Sequence, residues 1–119
     1  TLALILSVHS GWTLDPIGLR AASHGRQLPL GAGVNMYLMR TNRDHGQYLS
    51  HLKKNYLLIV PEVELKPMNL WKGENQYDFT DPDWLLGSTP ESTGWVQQND
   101  MQIRGHTLVY ATDGYIPQW

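Results

Sequence analysis

Three short, near-continuous apolar runs restrict the fold of this chain more than any other feature. They are residues 28–35 (LPLGAGVN), 56–65 (YLLIVPEVEL) and 101–110 (MQIRGHTLVY). A strand with one wet face alternates apolar and polar residues, whereas unbroken runs of this length suit strands covered on both faces. The connections between the runs are far too long for hairpins, and parallel neighbours need crossovers of this kind. The expected fold class is therefore α/β with a parallel sheet.

The connections support that pattern. Residues 42–55 (NRDHGQYLSHLKKN) place Tyr48, Leu49 and Leu52 at helical spacing, with Lys53 and Lys54 in the last turn, where cations suit the helix dipole. In the second connection, Asp81-Pro82 and Thr89-Pro90-Glu91 each set a capping residue before proline. Two short helices are expected there, over residues 82–86 and 90–98, separated by Gly87-Ser88. Residues 15–22 read as a further short capped helix that closes near Gly25. Residues 1–8 (TLALILSV) are apolar but far too few to span a bilayer. Residues 1–10 are then either the tail of a signal peptide cleaved near Ser10 or Gly11, or an N-terminal strand or helix packed on the core. The first alternative implies a secreted, extracellular protein.

Composition narrows the partners. A formal net charge of -2 offers no basic field for nucleic acid or an anionic membrane. Without cysteine there is no disulfide framework and no thiolate metal site. His45 and His51 lack an i, i+4 relation, and His9 and His24 lie apart from them, so a metal site is not expected. The chain contains no glycine-rich phosphate loop, serine elbow or zinc motif, and no cofactor is called for.

The candidate chemistry sits at the ends of the second and third runs. Met101, Ile103, Leu108 and Val109 read as a buried strand, interrupted by Arg104-Gly105-His106-Thr107 at its C-terminal end. Gly105 would allow close backbone approach, and His106 would point into whatever that end lines; alternatively His106 is a hydrogen-bonded core residue. Glu62 and Glu64 stand two apart and would share one face if extended, with Lys66 close by. Such a group could orient hydroxyls or tune a neighbouring carboxyl, or it could be a solvated loop with a surface ion pair. Five Trp and six Tyr against one Phe allow either a tyrosine- and tryptophan-filled core or platforms for sugar rings. Trp71, Tyr110, Tyr115 and Trp119 are placed for either role.

Taken in order, these segments resemble the start of glycoside hydrolase family 10, the endo-β-1,4-xylanases. The family opens with a strand like Phe-Gly-Ala-Ala-Val, similar to Leu30-Gly31-Ala32-Gly33-Val34-Asn35 here. Its Thr-Pro-Glu-Asn-Glu-Met-Lys-Trp motif resembles Val60-Pro61-Glu62-Val63-Glu64-Leu65-Lys66-Pro67, and its Gly-Gln-Phe-Asn-Phe resembles Asn75-Gln76-Tyr77-Asp78-Phe79. Its Arg-Gly-His-Thr-Leu-Val-Trp, ending in Pro-x-Trp, matches residues 104–110 and Pro117-Gln118-Trp119. The likeness extends over about residues 15–119.

The resemblance implies a (β/α)₈ TIM barrel, of which this chain holds the first three βα units, with residues 11–119 forming the N-terminal part of the catalytic domain. It implies xylan or a xylo-oligosaccharide as partner, bound in a cleft at the strand C-termini. Glu62, Lys66 and His106 map onto positions that hold sugars on the glycone side of the cleavage point, and Tyr110 maps onto an indole lining the same place. Val63 replaces the motif's asparagine, Pro67 and Tyr110 replace tryptophans, residues 85–92 form an insertion, and the loop at 111–116 is longer than the common form. The family's acid/base glutamate comes from the fourth strand and its nucleophile from the seventh. No catalytic residue is therefore assigned within these 119 residues, whereas a barrel of this kind needs about 250 residues. The remainder of the barrel is expected from downstream sequence. Three readings compete: part of a retaining endo-xylanase, a non-catalytic carbohydrate-binding remnant, and an α/β interaction domain with accidental similarity.

Overall fold

A computed structural model describes residues 18–24 and 26–117. The segment 1–17, Gly25 and the terminal Gln118 and Trp119 lie outside the described residues, and with them the expectations placed on residues 1–10, on Asp15-Pro16 and on Trp119. Three strands, β1 (Gly31–Val34), β2 (Leu58–Pro61) and β5 (Gln102–Ile103), form one sheet in the order β1-β2-β5. Both pairings are parallel, with Ala32 opposite Ile59 and Ile59 opposite Ile103. All three apolar runs thus contain a strand, in the arrangement expected of crossover units.

Register explains which residues are buried. Ala32, Val34, Ile59, Pro61 and Ile103 fall on one sheet face, and the helices cover that face. Val34, Ile59 and Pro61 are fully buried there. They pack with Met36 and Met39 of α2 (Met36–Thr41), Leu52 of α3 (Gln47–Asn55), Leu85 of α5 (Thr80–Leu86) and Trp95 and Val96 of α6 (Trp95–Gln98). Trp84 stacks on Trp95 at 5.8 Å, so these two indoles belong to the core. The opposite face carries Gly31, Gly33 and Gln102, all exposed, and Leu58 and Val60, half-buried. The expectation of two covered faces is therefore corrected: within the described residues only the helix side is covered. The other side is the one that a closed barrel fills with interdigitating side chains.

Several helices arise where local chemistry predicts them. Asp44 accepts hydrogen bonds from the Gly46 and Tyr48 amides and so starts α3 with a carboxylate, and Lys53 and Lys54 end it. Helix α1 (Leu19–His24) matches the second half of the expected segment. Helix α6 begins five residues later than residue 90, because Thr89 and Ser92 exchange hydrogen bonds in a turn that holds Pro90 outside the helix.

Two pieces were not expected. Helix α2 starts directly after β1, its N-cap Asn35 accepting from the Leu38 amide at 3.2 Å. Within the second connection, α4 (Pro67–Leu70) leads into an antiparallel hairpin of β3 (Trp71–Gly73) and β4 (Gln76–Tyr77). Its turn uses Asn75 at φ 57°, a left-handed conformation that asparagine tolerates. Among the described residues no helix is long and apolar enough to cross a membrane.

Candidate functional site at the strand C-termini

The parallel order brings the C-terminal ends of β1, β2 and β5 side by side, and the loops that leave them carry the candidate residues. Past β2 the chain turns at once. The Glu62 amide still donates to Val34 O at 3.1 Å, and the Lys66 amide donates back to Val63 O at 2.9 Å. Residues 62–66 are therefore bent rather than extended, which removes the premise on which Glu62 and Glu64 would share a face. Glu64 turns inward, its carboxylate accepting from the Met36 amide at 3.4 Å and the Val63 amide at 3.1 Å, and so joins the β2 loop to the start of α2. Glu62 stays exposed at the strand end. Pro67, in place of the resembled motif's tryptophan, occupies the first turn of α4, where its missing N–H costs nothing.

Lys66 is the N-cap of α4 and is only 6% exposed, unusual for a lysine. Its ammonium faces two aromatic rings, 4.1 Å from the Tyr110 centroid and 4.0 Å from that of Tyr115. The two rings stand at 88° with centroids 5.3 Å apart, so the ammonium sits in the right-angled corner between their faces. His106 continues the row, edge-to-face with Tyr110 at 5.8 Å. Lys66 and His106 thus each contact Tyr110, one over its ring face and one edge-to-face. Glu62 lies at the same sheet end without a hydrogen bond or ion pair to the other three among the described residues.

The third run needs correction. Strand β5 ends at Ile103, and the last ladder-type bond runs from the Arg104 amide to Ile59 O at 2.9 Å. Leu108 and Val109 are 88% and 82% exposed, so they belong to the loop and not to a buried strand. His106 stands three residues beyond the strand, half-buried, and its peptide bond to Thr107 is cis. A Cβ at Gly105 would meet nothing within 4 Å, so no described protein atom makes the close approach that the glycine would allow. The loop closes with a 3₁₀ turn, Asp113–Tyr115, packed against α4. That turn delivers Tyr115, which sequence reading named only as one of four aromatic candidates. Its signal was the longer loop carrying a tyrosine.

Trp71 belongs to a different surface. It stacks on Tyr77 at 6.0 Å, Tyr77 stacks on Phe79 at 5.8 Å, and these rings with Leu65, Leu70 and Leu108 line an apolar groove of about 310 Å³. A larger cavity, about 800 Å³, lies at the opposite end of the sheet among Arg20, Lys53, Lys54 and Asp100. Arg20 there donates to the carbonyls of Lys53, Asn99 and Asp100, closing α1 over the ends of α3 and α6. Barrels of parallel strands build sites at the other end, so this cavity is read as part of the stabilising base. No group of three or more His, Asp or Glu able to hold a metal occurs among the described residues.

Parallel strand–helix units with helices on one face, and a lysine, histidine and tyrosine cluster at the strand C-termini, define the opening units of a (β/α)₈ barrel. The chain belongs to glycosyl hydrolase family 10, whose family model matches residues 18–119. The crystal structure of xylanase B from Clostridium stercorarium F9 is similar to it at 28% sequence identity, with a TM-score of 0.58 over 78% of this chain. The likeness covers 24% of the xylanase B chain, so this chain spans about a quarter of that protein's length. Family membership overturns the reading of an unrelated interaction domain.

Proposed function

We propose that this chain supplies the glycone side of the sugar-binding cleft of a retaining endo-β-1,4-xylanase that acts on xylan outside the cell. The observation that carries the reading is the Lys66–Tyr110–His106 cluster at the C-terminal ends of adjacent parallel strands. An ammonium and an imidazole donate hydrogen bonds to sugar hydroxyls, and an aromatic face accepts the apolar face of a pyranose ring. Glu62, exposed beside them, would accept from a hydroxyl. In this reading all four residues bind substrate and none transfers a proton. Retaining hydrolysis uses two carboxyl groups about 5–5.5 Å apart, one as acid/base and one as nucleophile. Glu64 is committed to two backbone amides and Glu62 is assigned to substrate binding, so neither is given a catalytic role. By family resemblance the catalytic pair belongs to the fourth and seventh strands.

The test is steady-state kinetics on xylan in the protein that carries this chain at its natural length. Charge-assisted hydrogen bonds are worth about 1.5–3 kcal/mol, so Lys66→Ala and His106→Ala should each lower kcat/KM about ten- to a hundredfold. Wild-type rates in both variants would show that the cluster is structural. Binding of xylo-oligosaccharide without any hydrolysis by the natural-length protein would favour the non-catalytic remnant instead.

A further inference from the structure

We propose that Tyr115 is a positioning residue for Lys66, and that the long loop after β5 exists in this chain to deliver it. The inference rests on the carbohydrate-binding reading for its ligand but on independent geometry for the contact. A lysine on a flexible stem has many rotamers, and ordering a group of this kind before ligand arrives favours binding. Lys66 is ordered without an ion pair: the ion pair among the described residues joins Arg40 to Asp81. Two ring faces at 4.0 and 4.1 Å hold the ammonium instead. Attraction of this type comes from the ring quadrupole and strengthens as water is excluded, which suits a side chain only 6% exposed. The two ring faces thereby hold the lysine in one place before a ligand arrives.

Tyr110 alone would leave one side of the ammonium open. Tyr115 closes it from a second direction at 88°. The turn that carries it, Asp113–Tyr115, rests on α4, whose N-cap is Lys66 itself, so ring and lysine are fixed to the same short helix.

The experiment compares wild type, Tyr115→Phe and Tyr115→Leu in the protein of natural length, with ¹³C-labelled lysine for NMR and xylotriose titration for affinity. Phenylalanine keeps the ring face; leucine keeps apolar bulk without it. The wild-type Lys66 ε-methylene protons should be shifted upfield by the two rings. That shift should persist in Tyr115→Phe and fall by about half in Tyr115→Leu. The dissociation constant should stay near wild type in the first variant and rise about three- to thirtyfold in the second. An unchanged Lys66 shift together with unchanged affinity in Tyr115→Leu would overturn the proposal while leaving the sugar site intact. A wild type that fails to bind xylotriose, with the lysine shift still lost in Tyr115→Leu, would instead overturn the carbohydrate reading and uphold the cage.

Discussion

At the residue scale, the two glutamates after β2 separate into different jobs. Glu64 satisfies the amides of Met36 and Val63 at the junction of β2 and α2. Glu64→Ala should therefore destabilise the protein by about 1–3 kcal/mol, the cost of leaving partly buried donors unmet. Glu62→Ala, at an exposed position, should change stability by no more than about 0.5 kcal/mol and weaken xylo-oligosaccharide binding. Denaturant titration and ligand titration of the two variants measure the contrast, and a large stability loss in Glu62→Ala would reverse the assignment. Asp78 offers a pH signature. The Thr80 hydroxyl and amide donate to its carboxyl and hold it below the ordinary carboxylate value, with Lys72 and Arg40 adding to the effect. A lowered folded value means a contribution fully present above the unfolded value of about 3.9 and lost as pH falls through the lowered folded value. The stability gap between wild type and Asp78→Asn should thus be constant near neutrality and close in that acid window. A gap independent of pH down to acid unfolding would remove the charge from the explanation.

Elements in this chain are set by close backbone contacts as much as by apolar faces. Gly94, the residue before α6, lies so near α5 that a Cβ would sit 2.2 Å from Leu85 O and 2.3 Å from the Leu86 nitrogen. Backbone cannot yield as a side-chain tip does, so Gly94→Ala should cost about 1–3 kcal/mol or more. Gly114→Ala, with nothing within 4 Å, is the matched control for the same thermal melts. The sequence carried no sign that distinguished these two glycines, because the distinction lies between segments and not within one. The parallel strands were legible because apolar runs and long connections are local signals. Helix α3 was legible from the helical spacing of Tyr48, Leu49 and Leu52 and from its basic end. Helix α2 was hidden by its position directly against β1, although Asn35 followed by Met36 and Met39 did carry a cap and a helical pair. In the hairpin β3–β4, a two-residue turn with Asn75 at positive φ was overlooked among residues read as connection. Leu108 and Val109 misled for a physical reason. Hydrophobicity predicts burial only where something stands to cover it, and β5 has a neighbour on one side alone among the described residues. At the site, Lys66, His106 and Tyr110 could be named from motif order, while the ring-face corner around the lysine required the loop's path through space.

For the whole molecule, the sheet is a wall with one finished side. Helices cover Ala32, Val34, Ile59 and Ile103, whereas Gly31, Gly33, Leu58, Val60 and Gln102 present a face with no covering layer among the described residues. Among the described residues, strands β1 and β5 each pair with β2 alone, which leaves an outer edge on both sides of the sheet. Unpaired edges present rows of free backbone donors and acceptors, and apolar residues on an open face add a drive to cover it. Because the catalytic pair is assigned by resemblance to the fourth and seventh strands, the 119-residue chain prepared by itself should release no reducing sugar from xylan, and activity above a no-protein blank would force Glu62 or Glu64 into a catalytic role. With its edges and one face open, the same preparation should be marginally stable and self-associate as concentration rises. Sedimentation velocity across the micromolar range, combined with thermal melts, reads both properties together: the weight-average mass should climb with concentration, and the melt should be broad and concentration-dependent. Association through the open face predicts one further dependence. Charged substitutions on the open face, Leu58→Lys and Val60→Lys, point away from the helices and should suppress association without a comparable loss of secondary structure, because the Ile59 side of the sheet keeps its core. A concentration-independent monomer with a sharp cooperative melt would mean that the open face is already closed by other parts of the chain, and that these units form a self-sufficient domain rather than a wall awaiting its neighbours.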